Sequence, residues 1–248
     1  MAYLNYISDE DLEKHIKETL DQYRETLKKI DLNKFNENII DPIKLTFDSI
    51  VYNKKIKVIL NEEIGRQRDK TNTNAIGYFH QKIFKYINNC SVPSQGFDII
   101  FDNGTLKYYV ELKNKHNTMN KGGADSVYIN LQNQALKEPN CICALVEVIA
   151  KNSQNIKWQR TLNGQKVEND RIRRISIDKF YEIVTGEKDA FLQLCKVLPE
   201  IVTKIVNKTI ADKREKDTVF QELKTKDKNL LKSLYLLAFK TYEGFDKF

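Results

Sequence analysis

Three charged side chains, Asp98, Glu111 and Lys113, interrupt a largely apolar stretch of the sequence. Two carboxylates held close together repel each other unless something positive lies between them. Mg²⁺ prefers oxygen ligands and often takes one or two carboxylates together with a substrate phosphate and water. A lysine beside such an ion could orient or deprotonate an attacking water and offset the charge that builds on phosphorus. These residue types therefore indicate hydrolysis of a phosphodiester bond.

A β-hairpin is the element that would bring the two acids together. Apolar residues alternate along two segments, with turn chemistry at residues 102–104 between them. Side chains alternate between the faces of a strand, so Glu111 and Lys113 share the face opposite to the apolar residues. If the apolar faces of both strands match, Asp98 and Glu111 lie on the same side of the sheet. The alternative is an exposed row of opposite charges, which would stabilise the sheet only slightly. The alternating apolar residues are Phe97, Ile99 and Phe101, and then Tyr108, Val110 and Leu112.

The remaining patterns predict one α/β domain over residues 1–248, with a helical part at 1–73, a core at 74–205 and a helical part at 206–248. Helices are expected at 8–30, from Asp41-Pro42 onward, at 74–87, within 177–208 and near 228–242. The polar residues 61–73 and 114–126 are predicted to be loops, and 126–137 a short helix. Strands are expected at 141–150 and 171–177, with an exposed hairpin that turns at Asn163-Gly164.

The composition favours a polyanionic partner without proving one. The chain carries a formal net charge of +7 and has a pI near 9.0. Such an excess suits nucleic acid, although a lysine-rich surface can also serve solubility alone. The four cysteines lack zinc-site spacing, and neither a secretory segment nor an 18-residue apolar run is present. We therefore expect a cytoplasmic protein that does not enter a membrane.

The motif around the charged residues resembles a known nuclease signature. Asp98 followed by Glu111-Leu112-Lys113 resembles the PD-(D/E)XK pattern, with Phe97 where that pattern often has proline. The run VELKNKHNTMN, residues 110–120, resembles the type II restriction endonuclease family that includes the GGNCC-cutting enzymes. The segment RISIDKFYEIVTGEKDAF, residues 174–191, resembles a late part of restriction endonucleases. The resemblance extends from about residue 74 to 205.

This resemblance implies a PD-(D/E)XK nuclease-like core, with a central mixed β-sheet flanked by helices, and Mg²⁺-dependent cleavage of double-stranded DNA at a short palindrome. Asp98, Glu111 and the backbone carbonyl of Leu112 would bind the metal, and Lys113 would be the catalytic lysine. Some relatives add an upstream helical acid, for which Glu63 is the candidate and Glu62 its rival; the alternative for both is an acid at a solvated helix end. A homodimer and a functional pairing with a DNA methyltransferase are also implied.

Two further groups of residues are candidates for DNA contacts. A polar loop follows Lys113 directly and would emerge beside the scissile phosphate, although it could also be an ordinary solvated turn. An arginine cluster later in the chain could read guanine, or could be a charged strand edge that prevents aggregation. Gln81 could face the active site. The candidate DNA-binding residues are Lys115, His116, Asn117, Thr118, Asn120, Arg160, Arg171 and Arg173.

Two alternatives to a site-specific endonuclease stay open at this point. The chain could be a nucleic-acid-binding protein that does not cut, with structural acids. It could also be a nuclease of the same fold with a role in repair or junction cutting. The recognised bases, the cut position and the number of metal ions are not determined by the sequence.

Overall fold

The computed structural model describes residues 2–208, 214–243 and 245. The helices in chain order are α1 Asp9–Glu25, α2 Leu32–Asn36, α3 Pro42–Val51, α4 Ile56–Lys82, α5 Lys121–Lys137, α6 Ile177–Thr185, α7 Ala190–Lys208, α8 Val219–Lys226 and α9 Leu230–Phe239, with a 3₁₀ turn at Ile83–Tyr86 after α4. The strands are β1 Cys90–Ser91, β2 Ile99–Asp102, β3 Lys107–Lys115, β4 Cys141–Ile149, β5 Asn155–Lys157, β6 Arg160–Leu162, β7 Gln165–Val167 and β8 Ile172–Ser176.

A mixed β-sheet forms the centre of the fold. Among the described residues it has six strands in the order β1-β2-β3-β4-β8-β5. The β1–β2, β2–β3 and β5–β8 pairs are antiparallel, whereas β3–β4 and β4–β8 are parallel. A parallel pair needs a crossover connection, and α5 supplies it between β3 and β4. The predicted class, a mixed sheet flanked by helices, is confirmed.

The two faces of the sheet are covered by separate apolar layers. One layer includes Ile99 and Val110, which are fully buried and face each other across β2 and β3. The other layer packs α5 on the sheet through residues such as Tyr128 and Leu145. Leu145 is the register partner of Glu111, so Glu111 lies on the α5 side of the sheet. The matched apolar faces of the predicted hairpin are confirmed at Ile99, Phe101 and Val110. The placement of Phe97 on the same face is wrong, because the chain bends at residue 98 and Phe97 packs against Tyr109 in the α5 layer.

The described residues divide into two compact units. The first contains the sheet and is drawn from residues 1–20 and 76–210, and the second from 21–75 and 211–248. The second unit has its own apolar core, in which Phe35, Leu60 and Leu234 are buried.

At the start of α3, Asp41 accepts hydrogen bonds from the backbone of Ile43 and Lys44 through its side chain, as the predicted Asp41-Pro42 helix start requires.

The loop predicted at residues 61–73 is wrong, because this segment lies inside α4. Its polar composition conceals a narrow apolar stripe: Ile64 is buried in the core of the second unit, together with Leu60 one turn earlier. Gln67 is also buried, and its amide donates to the carbonyl of Phe35 at 3.0 Å. Satisfied polar groups and good helix formers therefore continue the helix where the sequence suggested a break.

The loop predicted at residues 114–126 is much shorter in the structure. Strand β3 continues to Lys115, and α5 begins at Lys121. Asn120 accepts a hydrogen bond from the backbone of Gly123 at 2.8 Å and thereby caps α5. This cap outweighs the low helix propensity of the adjacent glycines. Only residues 116–120 connect β3 to α5.

The exposed hairpin predicted at Asn163-Gly164 is present in the structure. Asn163 and Gly164, with φ of 49° and 81°, form the turn between β6 and β7, as the predicted hairpin requires. No helix among the described residues is both long and apolar enough to cross a bilayer.

Candidate active site

Asp98 and Glu111 lie close together at the β2–β3 hairpin. Asp98 occupies the bend directly before β2, and its backbone nitrogen donates to the carbonyl of Val110, the register partner of Ile99, at 2.9 Å. The Glu111 carboxylate is close enough to raise the pKa of Asp98. The shared face that the alternation predicts for the two acids stays a prediction, because β2 begins only after Asp98.

Asp98 is held by hydrogen bonds to both of its carboxylate oxygens. The backbone nitrogen of Leu112 donates to Oδ2 at 2.7 Å, and the Gln81 amide donates to Oδ1 at 3.1 Å. Burial raises the pKa of Asp98, the Leu112 hydrogen bond opposes this rise, and the nearby Glu111 carboxylate adds to it. Gln81 thus contacts Asp98 directly, as the sequence allowed.

Lys113 is bonded to the second acid. Its Nζ lies 2.6 Å from Oε1 of Glu111, and the two side chains are 30% and 25% exposed. Residues i and i+2 of a strand share a face, which explains this contact. The pair is partly exposed, so a substrate can approach it, and the Lys113 charge opposes the rise in the pKa of Asp98.

The donor set fits a hard cation that keeps part of its water. The described residues contain no cluster of three or more His, Cys, Asp or Glu side chains that could hold a metal. Asp98 and Glu111 instead form a pair of neighbouring carboxylates, with the backbone of Leu112 between Glu111 and Lys113. Mg²⁺ commonly binds through one or two carboxylates, waters and substrate phosphate, so the pair matches its requirements.

A second acid on the same face was not anticipated from the sequence. Glu147 on β4 is the register partner of Lys113 and is fully buried. Arg174 on β8 donates to both carboxylate oxygens of Glu147, with Nε at 3.0 Å from Oε2. The same guanidinium lies 2.8 Å from Nδ1 of His116. A signal for this arrangement was available, since a lone glutamate inside an apolar strand requires a partner.

The connection from β3 to α5 begins at His116. The backbone nitrogen of His116 donates to the carbonyl of Ile149 at 2.9 Å, which ties the segment to the end of β4. Lys115 and Asn117 are exposed. Thr118 donates to the Lys115 carbonyl at 2.9 Å, and Asn120 caps α5. The predicted loop contacts therefore start from a short, well-anchored connection.

The three predicted DNA-binding arginines each have partners within the chain. Arg160 pairs with Asp125 on α5 through two of its nitrogens. Arg171 donates to the carbonyls of residues 138 and 139, both at 2.9 Å. Arg173 donates to the side chain and backbone of Asn155 at 3.0 and 2.7 Å. Their contacts to DNA stay a prediction.

The two candidates for the upstream acid both lie on α4, in the second unit. Glu63 is 8% exposed, and its carboxylate accepts two hydrogen bonds from Arg66 at 2.6 and 2.7 Å. Glu62 forms an ion pair with Lys54 at 2.6 Å. The assignment of Glu63 as a metal ligand stays a prediction.

The mixed sheet and the paired acids on its hairpin define a restriction-endonuclease-like α/β protein. A sequence model of the Eco47II restriction endonuclease family matches residues 4–207. The chain therefore belongs to this family.

Two curated relatives are similar over most of their length. The type II restriction enzyme Sau96I of Staphylococcus aureus is 35% identical over 231 residues, which cover 89% of this chain and 88% of the relative. The type II restriction enzyme Eco47II of Escherichia coli is 29% identical over 219 residues, covering 85% and 91%. The family resemblance that the motif predicted is confirmed.

Proposed function

We propose that the protein is a type II site-specific deoxyribonuclease that hydrolyses phosphodiester bonds of double-stranded DNA at a short palindrome, with Mg²⁺ as cofactor. Its palindrome is GGNCC or a variant. The observation that carries the proposal is the proximity of Asp98, Glu111 and Lys113 at the hairpin, in a chain of the Eco47II restriction endonuclease family.

The roles of the residues follow from their positions. Asp98, Glu111 and the backbone carbonyl of Leu112 would hold the Mg²⁺, with Glu63 as the candidate for a further ligand. When bound, the ion supplies Lewis-acid polarisation of the scissile phosphate and a lowered pKa of water. Gln81 orients Asp98 through the hydrogen bond to Oδ1. Lys113 orients the attacking water and offsets the negative charge on the phosphate through its Nζ.

The DNA would lie over the α5 side of the sheet end. The connection after β3 supplies Lys115, His116, Asn117, Thr118 and Asn120 directly beyond Lys113. At the start of α5, Lys121, Arg160 and Lys166 line a cavity of about 500 Å³ beside the β6–β7 hairpin. Such cations bind phosphates, whereas amides and arginine forks read bases. Arg171 directly precedes β8, and Arg173 lies on β8 on the face opposite to Arg174; both stay in the proposed contact set.

A palindromic target has two-fold symmetry, so we propose that the protein acts as a homodimer in which each subunit cuts one strand. A DNA methyltransferase of matching specificity would protect the DNA of the producing cell. Both proposals rest on the proposed endonuclease activity.

Plasmid cleavage tests the proposed function. Purified protein is incubated with plasmid and with phage DNA, with Mg²⁺ or with EDTA, and the ends of the fragments are sequenced. We expect discrete fragments that share one palindromic end sequence, in the Mg²⁺ sample alone.

Each other outcome contradicts the proposal in a different way. A smear would indicate a non-specific nuclease, and cleavage only at branched substrates would indicate repair or junction cutting. Binding without cleavage in any divalent ion would indicate a nucleic-acid-binding protein that does not cut.

A further inference from the structure

We propose that Arg174 and Glu147 are positioning residues that fix His116 as a neutral hydrogen-bond donor through Nε2, and that this donor contacts DNA next to the scissile phosphate. The DNA contact rests on the proposed nuclease function, whereas the state of the ring can be tested without it. Arg174 and His116 both contact the carboxylate of Glu147.

The Glu147 carboxylate is the centre of this arrangement. It is fully buried, and Arg174 approaches both of its oxygens. A buried carboxylate needs such a partner, and the planar guanidinium matches both oxygens at once. Glu147 lies on β4, Arg174 on β8 and His116 directly after β3. The contacts among these three residues therefore join three adjacent strands.

The state of the His116 ring follows from its closest neighbour. Nδ1 lies 2.8 Å from Nη2 of Arg174 and 3.4 Å from Oε2 of Glu147. A guanidinium has only donors, so Nδ1 must be the acceptor in the shorter contact and cannot carry a proton. The single ring proton is then on Nε2. The ring is therefore held as a neutral donor whose Nε2–H is directed away from Arg174.

His116 is placed where such a donor would meet the substrate. Its side chain is 40% exposed, and the residue lies three positions after Lys113. The backbone bond to Ile149 and a 3.4 Å contact from Arg174 to the His116 carbonyl fix the main chain as well. A neutral N–H at this position can donate to a phosphate oxygen or to the acceptor edge of a purine.

Nitrogen-15 NMR of the histidine rings tests the first half of the proposal on the full-length protein without DNA. The chain has three histidines, so the spectrum of His116→Gln assigns the signals of His116. The measurement is made well above the ordinary histidine pKa of about 6.5. We expect a pure Nε2–H tautomer with Nδ1 shifted by an accepted hydrogen bond.

The double variant Glu147→Met/Arg174→Met removes the carboxylate and the guanidinium together, so no unpaired charge is left buried. In this variant the His116 signals should move toward the average of both tautomers. A wild-type Nδ1–H tautomer, or identical signals in wild type and double variant, would overturn the proposal. Asp217→Asn is the matched control, because it breaks a different Arg–carboxylate pair, with Arg68, in the second unit. It should leave the His116 signals unchanged.

DNA binding tests the second half, by fluorescence anisotropy in the cleavage-defective Lys113→Ala background with Mg²⁺ present. We expect His116→Ala to weaken binding about tenfold, since it removes one hydrogen bond to a charged or polar partner. The slope of log K against log salt should not change, because a neutral donor releases no counterion. Lys115→Ala, as a cationic comparison, should lower that slope by about 1.

Coupling between the variants separates positioning from general destabilisation. The double variant should weaken binding by a factor similar to that of His116→Ala, and the triple variant should be no weaker than His116→Ala alone. Additive losses, or a change of about 1 in the salt slope for His116→Ala, would overturn the proposed role. Wild-type plasmid cleavage is unaffected by this result, so failure of the inference is distinguishable from failure of the proposed function.

Discussion

Two ion pairs on the same face of the sheet differ in what surrounds them. Lys113 and Glu111 are 30% and 25% exposed, whereas Arg174 and Glu147 are 20% and 0% exposed. Lys113 and Glu147 occupy matching positions on adjacent strands, so the two pairs are neighbours. One lysine contacts one oxygen of the exposed acid, and one arginine approaches both oxygens of the buried acid.

The comparison shows how similar residues acquire different tasks. A single ammonium leaves part of the Glu111 carboxylate available to a cation, and the exposed pair contributes little to stability. The Arg174 guanidinium donates to both carboxylate oxygens of Glu147. Removal of Arg174 would therefore leave a buried charge without a partner. The Lys113–Glu111 pair is therefore suited to a part in the proposed reaction, and the Arg174–Glu147 pair to holding β4 and β8 together.

The largest expected effect is the loss of DNA cleavage when either residue of the Lys113–Glu111 pair is replaced. Glu111→Gln and Lys113→Ala should each reduce DNA cleavage by about 10³-fold or more, because each removes a group of the proposed catalytic site. The measurement is the single-turnover cleavage rate of a plasmid with Mg²⁺.

The control for this prediction is stability in urea. The exposed pair is worth about 1 kcal/mol or less, so neither variant should unfold the protein. A Lys113→Ala variant that is folded and cuts at more than a tenth of the wild-type rate would contradict the assignment of the site.

The second effect is on stability and concerns the buried pair. Arg174→Ala should lower the free energy of unfolding by roughly 3–5 kcal/mol, since it leaves the Glu147 carboxylate buried without its partner. Lys113→Ala is the matched comparison, with a loss of about 1 kcal/mol or less. Urea unfolding followed by circular dichroism measures both. Equal losses in the two variants would show that the pairs do not differ as their exposure implies.

The sequence predicts the active-site hairpin well because its information is local. Alternation from Ile99 to Leu112, with turn residues between, is enough to predict the paired strands that bring Asp98 close to Glu111. The partner of Glu147 is not local, since Arg174 lies 27 residues away and meets it only through the parallel pairing of β4 with β8. A pattern within one strand cannot reveal such a partner.

The predicted boundaries of two helices are wrong for a related reason. Residues 61–73 look like a loop because their apolar side chains are few, yet Ile64 and the buried Gln67 belong to a core formed with distant segments. Residues 121–125 look like a loop because of their glycines, yet the Asn120 cap starts α5 there. In both cases a contact outweighs the intrinsic preference of the residues.

A third buried group extends the comparison to a side chain without an ionic partner. His80 is packed edge-on against Phe79 at 5.3 Å, and its Nδ1 is buried without a hydrogen-bond partner in the described part of the chain. Burial lowers the pKa of His80 from 6.5 to about 4, and the neighbouring His15 adds to the effect. Unlike Glu147, this residue is stable in the fold because it is neutral.

The smallest effect follows from that neutrality and appears only in acid. The folded pKa of His80 is below the unfolded value, so its contribution to stability is complete above pH 6.5 and is lost as the pH falls toward 4. The total loss is roughly 3 kcal/mol, and it is spread over this range. Between these limits the unfolded chain binds a proton at this position that the folded chain does not.

Urea unfolding of wild type and His80→Gln at several pH values between neutral and 4 isolates this contribution, since the carboxylates titrate equally in both proteins. The variant lacks the titrating ring, so the wild type should lose stability relative to it as the pH falls. The difference should then level off near the folded pKa of about 4. If the free energies of unfolding of the two proteins change in parallel with pH, His80 takes up its proton without loss of stability. Burial would then not require His80 to be neutral, in contrast to the need of the buried Glu147 for a charged partner.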